Sequence, residues 1–140
     1  MVIVAAIDRS DRVTRVISEA ETLAQVFDDT VHVVYAITQS EFVDLEQTSY
    51  DETGRALSMD EIRSFARGYA ESVADLEVEH ESVGLVGTPA DEVVRYASEV
   101  SARYIVVAPR RRSPTGKALF GSVAQSILLS ADCPVVSVGV

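Results

Sequence analysis

Residues 2–7 form an unbroken apolar run rich in β-branched side chains, the pattern of a strand buried on both faces. After Asp8 and Ser10 the period lengthens. Val13, Val16, Ile17, Ala20, Leu23, Ala24 and Phe27 recur at three- and four-residue spacing and predict one face of a helix. Residues 31–37 predict a second buried strand. Residues 38–57 are polar, hold five acids without a firm period, and read as a long loop of the kind that is often functional. Ser58 followed by Glu61 is a capping-box signature. Behind it Ile62, Phe65, Ala66, Tyr69, Val73 and Leu76 trace one helical face. Residues 79–86 alternate more weakly, as an edge strand does. Thr88-Pro89 predicts the next helix start, a hydroxyl cap followed by proline, with Asp91 and Glu92 at the positive end of the dipole. Its buried face is Val93, Val94, Ala97 and Val100. Residues 104–108 predict a fourth strand and residues 109–120 a loop. Gly121 or Ser122 then opens a last helix with Val123, Ala124, Ile127 and Leu128 inward, and residues 134–138 a final strand.

Helices alternating with apolar strands predict a single α/β domain over residues 1–140: an open, mainly parallel five-stranded sheet with helices on both faces. Ligands of such sheets sit beyond the carboxyl ends of the strands, where the strand order reverses. Asp8, Thr38, Gly87 and the 109–120 loop all fall just past strand ends, hence on one rim.

Composition narrows the function. The chain is 47% hydrophobic, enough for a core, and its longest apolar runs are far shorter than the ~20 residues of a membrane span. The opening run has no basic residue ahead of it and makes a poor signal peptide. The one cysteine, Cys133, has no partner within the chain and reads as a small buried apolar residue; the two histidines offer no metal-ligand spacing. A soluble cytoplasmic protein is the expectation. A net charge of −10 disfavours nucleic acid and anionic membrane as partners. Eleven of the twelve cations are Arg, and this acidic, lysine-poor composition resembles that of proteins from salt-loving cells. Residues 1–109 carry a net −13 and residues 110–140 a net +3. The reversal comes from Arg110, Arg111, Arg112 and Lys117, four of the twelve cations within eight residues.

These cations share a segment with Ser113, Thr115, Gly116, Gly121 and Ser122 and lead into a predicted helix. Glycine admits close backbone approach, hydroxyls add donors, cations neutralise charge, and a helix amino terminus favours phosphate. The segment reads as a polyphosphate cradle, or as a solvated basic loop. Gly116-Lys117 is not a Walker A motif, because Arg111 and Ala118 stand where that motif needs Gly and Ser or Thr. Asp8 ends the first strand, where a carboxylate accepts from a ribose hydroxyl or an adenine amino group; Asp8 or Ser10 equally serves as a helix cap. His32 and His80 read as structural, and no serine has a His partner or a nucleophile elbow. No catalytic set emerges, so an enzyme is not the expectation beyond slow ATP hydrolysis. A phospho-acceptor receiver domain is excluded by Gly87, which stands where the acceptor Asp belongs.

The first strand ending in Asp8, Gly87 after the third strand, and the stretch 121–128 followed by Cys133-Pro134-Val135-Val136 together resemble the universal stress protein family over essentially the whole chain. The family's nucleotide-binding branch carries Gly-x2-Gly-x9-Gly-Ser/Thr. Aligned on Gly121-Ser122, the spacing is intact, with Ala108 and Arg111 replacing two glycines. The resemblance implies a Rossmann-like sheet of order 3-2-1-4-5. It implies adenosine near Ala6, Ile7, Asp8, Ser10, Ala36 and Val107. Phosphates would lie over Ala108, Arg110, Arg111, Arg112, Ser113, Thr115, Gly116 and Lys117, and at Gly121, Ser122, Val123 and Ala124. The implied ligand is ATP or another adenine nucleotide, with or without Mg2+. The implied assembly is a homodimer through residues 134–140, which would otherwise leave an exposed apolar edge. The alternative is a nucleotide-free dimeric interaction module of the same family.

Overall fold

The computed structural model describes residues 1–109, 111–112 and 118–139, with the backbone alone described at 111–112 and 118–119. In chain order the elements are β1 (Val2–Ile7), α1 (Val13–Phe27), β2 (Thr30–Ile37), α2 (Gln39–Thr53), α3 (Met59–Val73), β3 (His80–Val86), α4 (Pro89–Glu99) and β4 (Tyr104–Val107). They continue with β5 (Arg111–Arg112), β6 (Ala118–Leu119), α5 (Ser122–Ser130) and β7 (Val135–Ser137). The main sheet has five strands in the order β3-β2-β1-β4-β7, and every pair is parallel. This is the expected 3-2-1-4-5 arrangement, with the weakly alternating third strand at an edge.

The continuous apolar runs are explained by burial on both faces. Ile3, Ala5 and Ile7 of β1 pack with Val16, Ile17 and Ala20 of α1 and Ile62, Ala66 and Ala70 of α3. Val4 of β1 and Val34 of β2 face the opposite layer, Val93 and Ala97 of α4 and Ile127 of α5. Helices α1 and α3 therefore cover one face, and α4 and α5 the other.

Several expectations are corrected. Residues 39–53 are a helix. Thr38 caps it, its side chain accepting from the Glu41 N–H at 3.2 Å, and Gly54 closes it in the left-handed conformation, φ 72°. The periodicity was invisible because no residue of α2 is fully buried; a narrow stripe, Phe42 and Leu45, rests half-buried on the core. The 109–120 segment contains a short antiparallel pair, Arg111 opposite Leu119 and Arg112 opposite Ala118. In α5, Val123 and Leu128 are exposed, because so short a helix meets the sheet layer through Ala124 and Ile127 alone. Similarly, α3 seats Ile62, Ala66 and Ala70 on the sheet and leaves Phe65 exposed, and Leu76 lies beyond its end. Finally, the last strand is three residues long and is not an apolar edge. Val135 and Val136 pack half-buried against opposite layers and Val138 is buried, so what lies open is backbone. Residue 140 lies outside the described residues.

The capping box at α3 is present in full, Ser58 Oγ accepting from Glu61 N–H and Glu61 Oε1 from Ser58 N–H. Thr88 makes no side-chain cap bond; Pro89 and the first-turn acids Asp91 and Glu92 mark that start. Cys133 is half-buried against the α4 side of the core.

Two packing constraints generate tests. A Cβ on Gly84 of β3 would stand 2.2 Å from the Arg63 carbonyl oxygen and 2.4 Å from the Arg67 nitrogen, both backbone of α3. Gly84→Ala should therefore push α3 off the sheet and cost about 1–3 kcal/mol in chemical denaturation. Gly68→Ala, in the same helix with nothing within 4 Å, should be neutral or gain about 0.5–1 kcal/mol.

At the opposite end of the sheet, the buried Asp29 carboxylate accepts from Arg103 Nε at 2.6 Å and from the Met1 amino group at 3.0 Å. The Arg103 hydrogen bond, and then that of the amino group, hold Asp29 below the usual carboxylate range against the opposing effect of burial. A depressed folded-state pKa gives stability that is complete above the unfolded value of about 3.9 and is lost as pH falls through the folded value. The stability gap between wild type and Asp29→Asn should thus be constant above about pH 5 and close below about pH 4, followed by urea unfolding.

Candidate functional site

Strand order reverses at β1. From it the chain grows outward through β2 and β3 with helices on one face, then returns to β4 and β7 with helices on the other. The helices after β1 and β4 leave on opposite faces, so a cleft opens above the carboxyl ends of these two strands. It encloses about 610 Å³, within the usual range for small-molecule sites. Ala6, Ala36, Val107, Val93, Val16 and Ile127 make an apolar floor and walls. Gly121 and Ser122 bring the amino end of α5 to one side, and Arg12 brings the start of α1 to the other.

Asp8 braces the β1–α1 turn. Its Oδ1 accepts from the Ser10 N–H at 2.9 Å and the Ser10 hydroxyl at 2.6 Å, and Ser10 Oγ accepts from the Arg12 N–H at 3.2 Å. Neither side chain is the N-cap of α1, a position held by Arg12 without a side-chain cap bond. The Asp8 carboxylate remains exposed and on the cleft.

Beyond Asp8 the rim is a closed polar cluster. Arg9 Nε donates to Glu41 Oε2 at 2.8 Å and to the Tyr35 hydroxyl at 3.2 Å, while its guanidinium lies 4.1 Å from the centre of the Tyr69 ring. The Tyr35 hydroxyl donates to Glu41, as does Thr38 Oγ1 at 3.2 Å. Tyr69 donates to the Asp8 carbonyl at 2.7 Å. Burial, and then the bond to Glu41, push the Tyr35 phenol well above its ordinary range. Burial pushes Glu41 up, but the donors Tyr35 and Arg9 outweigh it and hold the carboxylate ionised. The cluster ties α2, α3, β2 and the β1–α1 turn into one wall.

One cleft residue is not satisfied. Arg12 Nε is buried with no hydrogen-bond partner among the described residues, an arrangement that ordinarily costs about 1–3 kcal/mol. Across the cleft, α5 starts at Gly121 with no side-chain cap bond and no acid in its first turn.

Residues 1–139 match the universal stress protein family. The chain belongs to that family. A universal stress protein of Methanocaldococcus jannaschii is 29% identical over 136 residues, 97% of this chain and 80% of its own. The solved structure of a universal stress protein from Archaeoglobus fulgidus is 33% identical, with a TM-score of 0.67 over 99% of this chain and 98% of its own. A universal stress protein structure from the same organism, in complex with dAMP, is 30% identical, with a TM-score of 0.65 over 99% and 98%.

Within this universal stress protein fold, Ala6, Ile7, Asp8, Ser10, Ala36, Val107 and Ala108 gather at the cleft with Gly121, Ser122, Val123 and Ala124. Arg110, Ser113, Thr115, Gly116 and Lys117 lie outside the described residues, and only the backbone is described for Arg111 and Arg112. Sequence reasoning missed Arg9, Arg12, Tyr35 and Glu41. Thr38-Gln39-Ser40-Glu41 was the available signal, a capping-box spacing that announces α2 and places Glu41 beside the rim. The Glu41 N–H donates to Thr38 Oγ1 as that motif requires, while its carboxylate accepts from Arg9 and Tyr35.

Proposed function

We propose that the chain is a stress-response or regulatory protein that binds an adenine nucleotide in this cleft and works as a cytoplasmic homodimer. The cleft itself carries the reading. It joins an apolar slot of ligand size, the exposed Asp8 carboxylate and the uncapped amino end of α5 at the point where strand order reverses. A relative of 30% identity is solved with dAMP, which supports an adenine nucleotide as the occupant. In this reading adenosine lies over Ala6, Ala36 and Val107 with its ribose toward Asp8, and the phosphates run to Gly121 and Ser122. Lys117 and the arginines at 110–112 supply charge from the adjoining segment. Among the described residues no three His, Cys, Asp or Glu side chains converge as metal ligands, so Mg2+ enters the reading only as an ion carried by a polyphosphate. No reaction is assigned to the site.

Calorimetric titration with ATP and with adenosine tests the assignment. Lys117→Ala should weaken ATP about ten- to a hundredfold and leave adenosine nearly unchanged, because adenosine has no phosphate to lose. Asp8→Ala should weaken both in similar measure. A wild type that binds neither at millimolar ligand would overturn the nucleotide reading in favour of a nucleotide-free dimeric module.

The dimer is proposed through β7, whose backbone edge is open. Ile105 N–H donates to the Pro134 carbonyl and Val138 N–H to that of Val107, so alternate residues bond inward and Ser137 turns its N–H outward. Ser137→Pro removes that outward donor without touching the β4 ladder. It should sediment as monomer while the wild type sediments as dimer. Because each copy carries −10, the wild-type dimer should tighten in molar salt, as suits a salt-rich cytoplasm. A monomeric wild type at micromolar concentration in both salts would sink this assembly.

A further inference from the structure

We propose that Arg12 is an oxyanion-binding residue of the cleft, which grips the phosphate end of the ligand from the α1 side. The nucleotide reading enters only in naming what carries the phosphate.

The case begins with a contrast between two arginines three positions apart. Arg9 is fully engaged: its Nε donates to Glu41 and Tyr35 and its plane stacks on Tyr69. Arg12 is not. Its side chain is only 16% exposed, yet its Nε has no acceptor among the described residues. Its ion pair is with the adjacent Asp11, at 3.7 Å and with a carboxylate 93% exposed, a geometry that contributes little. A guanidinium offers five donors and no acceptor, so what completes it must present lone pairs and welcomes negative charge. Its planar fork matches two oxygens of one phosphoryl group.

The surroundings select the same chemistry. Arg12 shares the cleft with Gly121 and Ser122, so an oxyanion between them meets the guanidinium on one side and the first N–H groups of α5 on the other. The acids that line the cleft do not compete for Arg12. Asp8 is bonded to Ser10, and Glu41 is taken up by Arg9, Tyr35 and Thr38. Among the described residues its one charge partner is weak, so little there opposes a turn of the guanidinium that brings Nε–H and one terminal N–H to the ligand. The arrangement supplies a cation independent of the 110–117 segment, from the opposite wall.

Arg12→Met keeps most of the aliphatic stem and removes the donors, and Arg12→Lys keeps the charge but not the fork. Titration with adenosine and with AMP should show Arg12→Met losing about ten- to a hundredfold in AMP affinity with adenosine unchanged, and Arg12→Lys recovering part of the loss. The ligand-free Arg12→Met protein should melt no lower than wild type, since a buried unpaired donor has been deleted. Equal loss for adenosine and AMP, unchanged AMP affinity, or a markedly lower ligand-free melting temperature would each overturn the proposal and leave the nucleotide reading standing. Thermal shift with pyrophosphate separates the two ideas from the other side. If the wild type binds no nucleoside or nucleotide, the nucleotide reading falls. The Arg12 proposal is then upheld by a pyrophosphate-induced rise in melting temperature that Arg12→Met abolishes, and overturned by its absence.

Discussion

Strand β1 is paired on both edges and covered on both faces, and the crossovers on its two sides leave in opposite directions. The helix after β1 must pack on one face and the helix after β4 on the other, so neither covers the gap above the two strand ends. The cleft follows from that constraint. Strands are bound to each other by backbone ladders indifferent to side-chain identity, which leaves Ala6, Ala36 and Val107 free to be shaped by what sits above them. The small side chains at two of these three positions keep the floor low.

The closed cluster at the rim is the second consequence. The β1–α1 turn leads the chain out of the sheet centre, and something must hold it open to solvent on one side and rigid on the other. Tyr69 from α3 stacks on the Arg9 guanidinium, the Tyr35 hydroxyl from β2 accepts from it, and Glu41 neutralises the cation. Helix α2 has no buried residue, so its place depends on Phe42 and Leu45 resting half-buried and on Glu41 reaching this cluster. That division of roles makes α2 the element whose position is most nearly a matter of polar contacts, and polar contacts among exposed groups are individually weak.

What was legible in the sequence follows the same division. The buried strands and the amphipathic faces of α1, α3 and α4 write their environment directly into hydrophobic period, and the strand ends then place Asp8 and the loop before α5 on one rim. Helix α2 writes almost nothing, because a helix that buries only two half-covered residues has no stripe to read; Thr38 and Glu41 were its sole local signature. Likewise the sequence pattern of α5 assigned Val123, Ala124, Ile127 and Leu128 to its inner face, and only the structure shows that Ala124 and Ile127 face in while Val123, Leu128 and Leu129 face out. The site was half visible for a related reason. Residues at strand ends can be located by counting, but Tyr35, Arg9 and Arg12 acquire their roles from neighbours brought together across the sheet, to which no spacing along the chain corresponds.

On the proposed reading, Arg9 and Arg12 divide stability and binding between them within a single turn. Both are arginines that line the same cleft, and no rule based on residue type separates them. Arg9 has its acceptors within the protein, and its bonds hold the wall whether or not the cleft is occupied. Arg12 has a buried donor with no acceptor among the described residues, a cost that a well-packed apolar residue would remove. A cost kept at a cleft is the signature of a group whose partner is supplied from outside, and an oxyanion is the partner that a guanidinium opposite a helix amino terminus can best accommodate. The chain as a whole is strongly acidic, and long-range repulsion works against any anionic ligand. On the proposed reading, affinity for phosphate comes from short-range, directional donors, which is the part assigned to Arg12 and the first turn of α5.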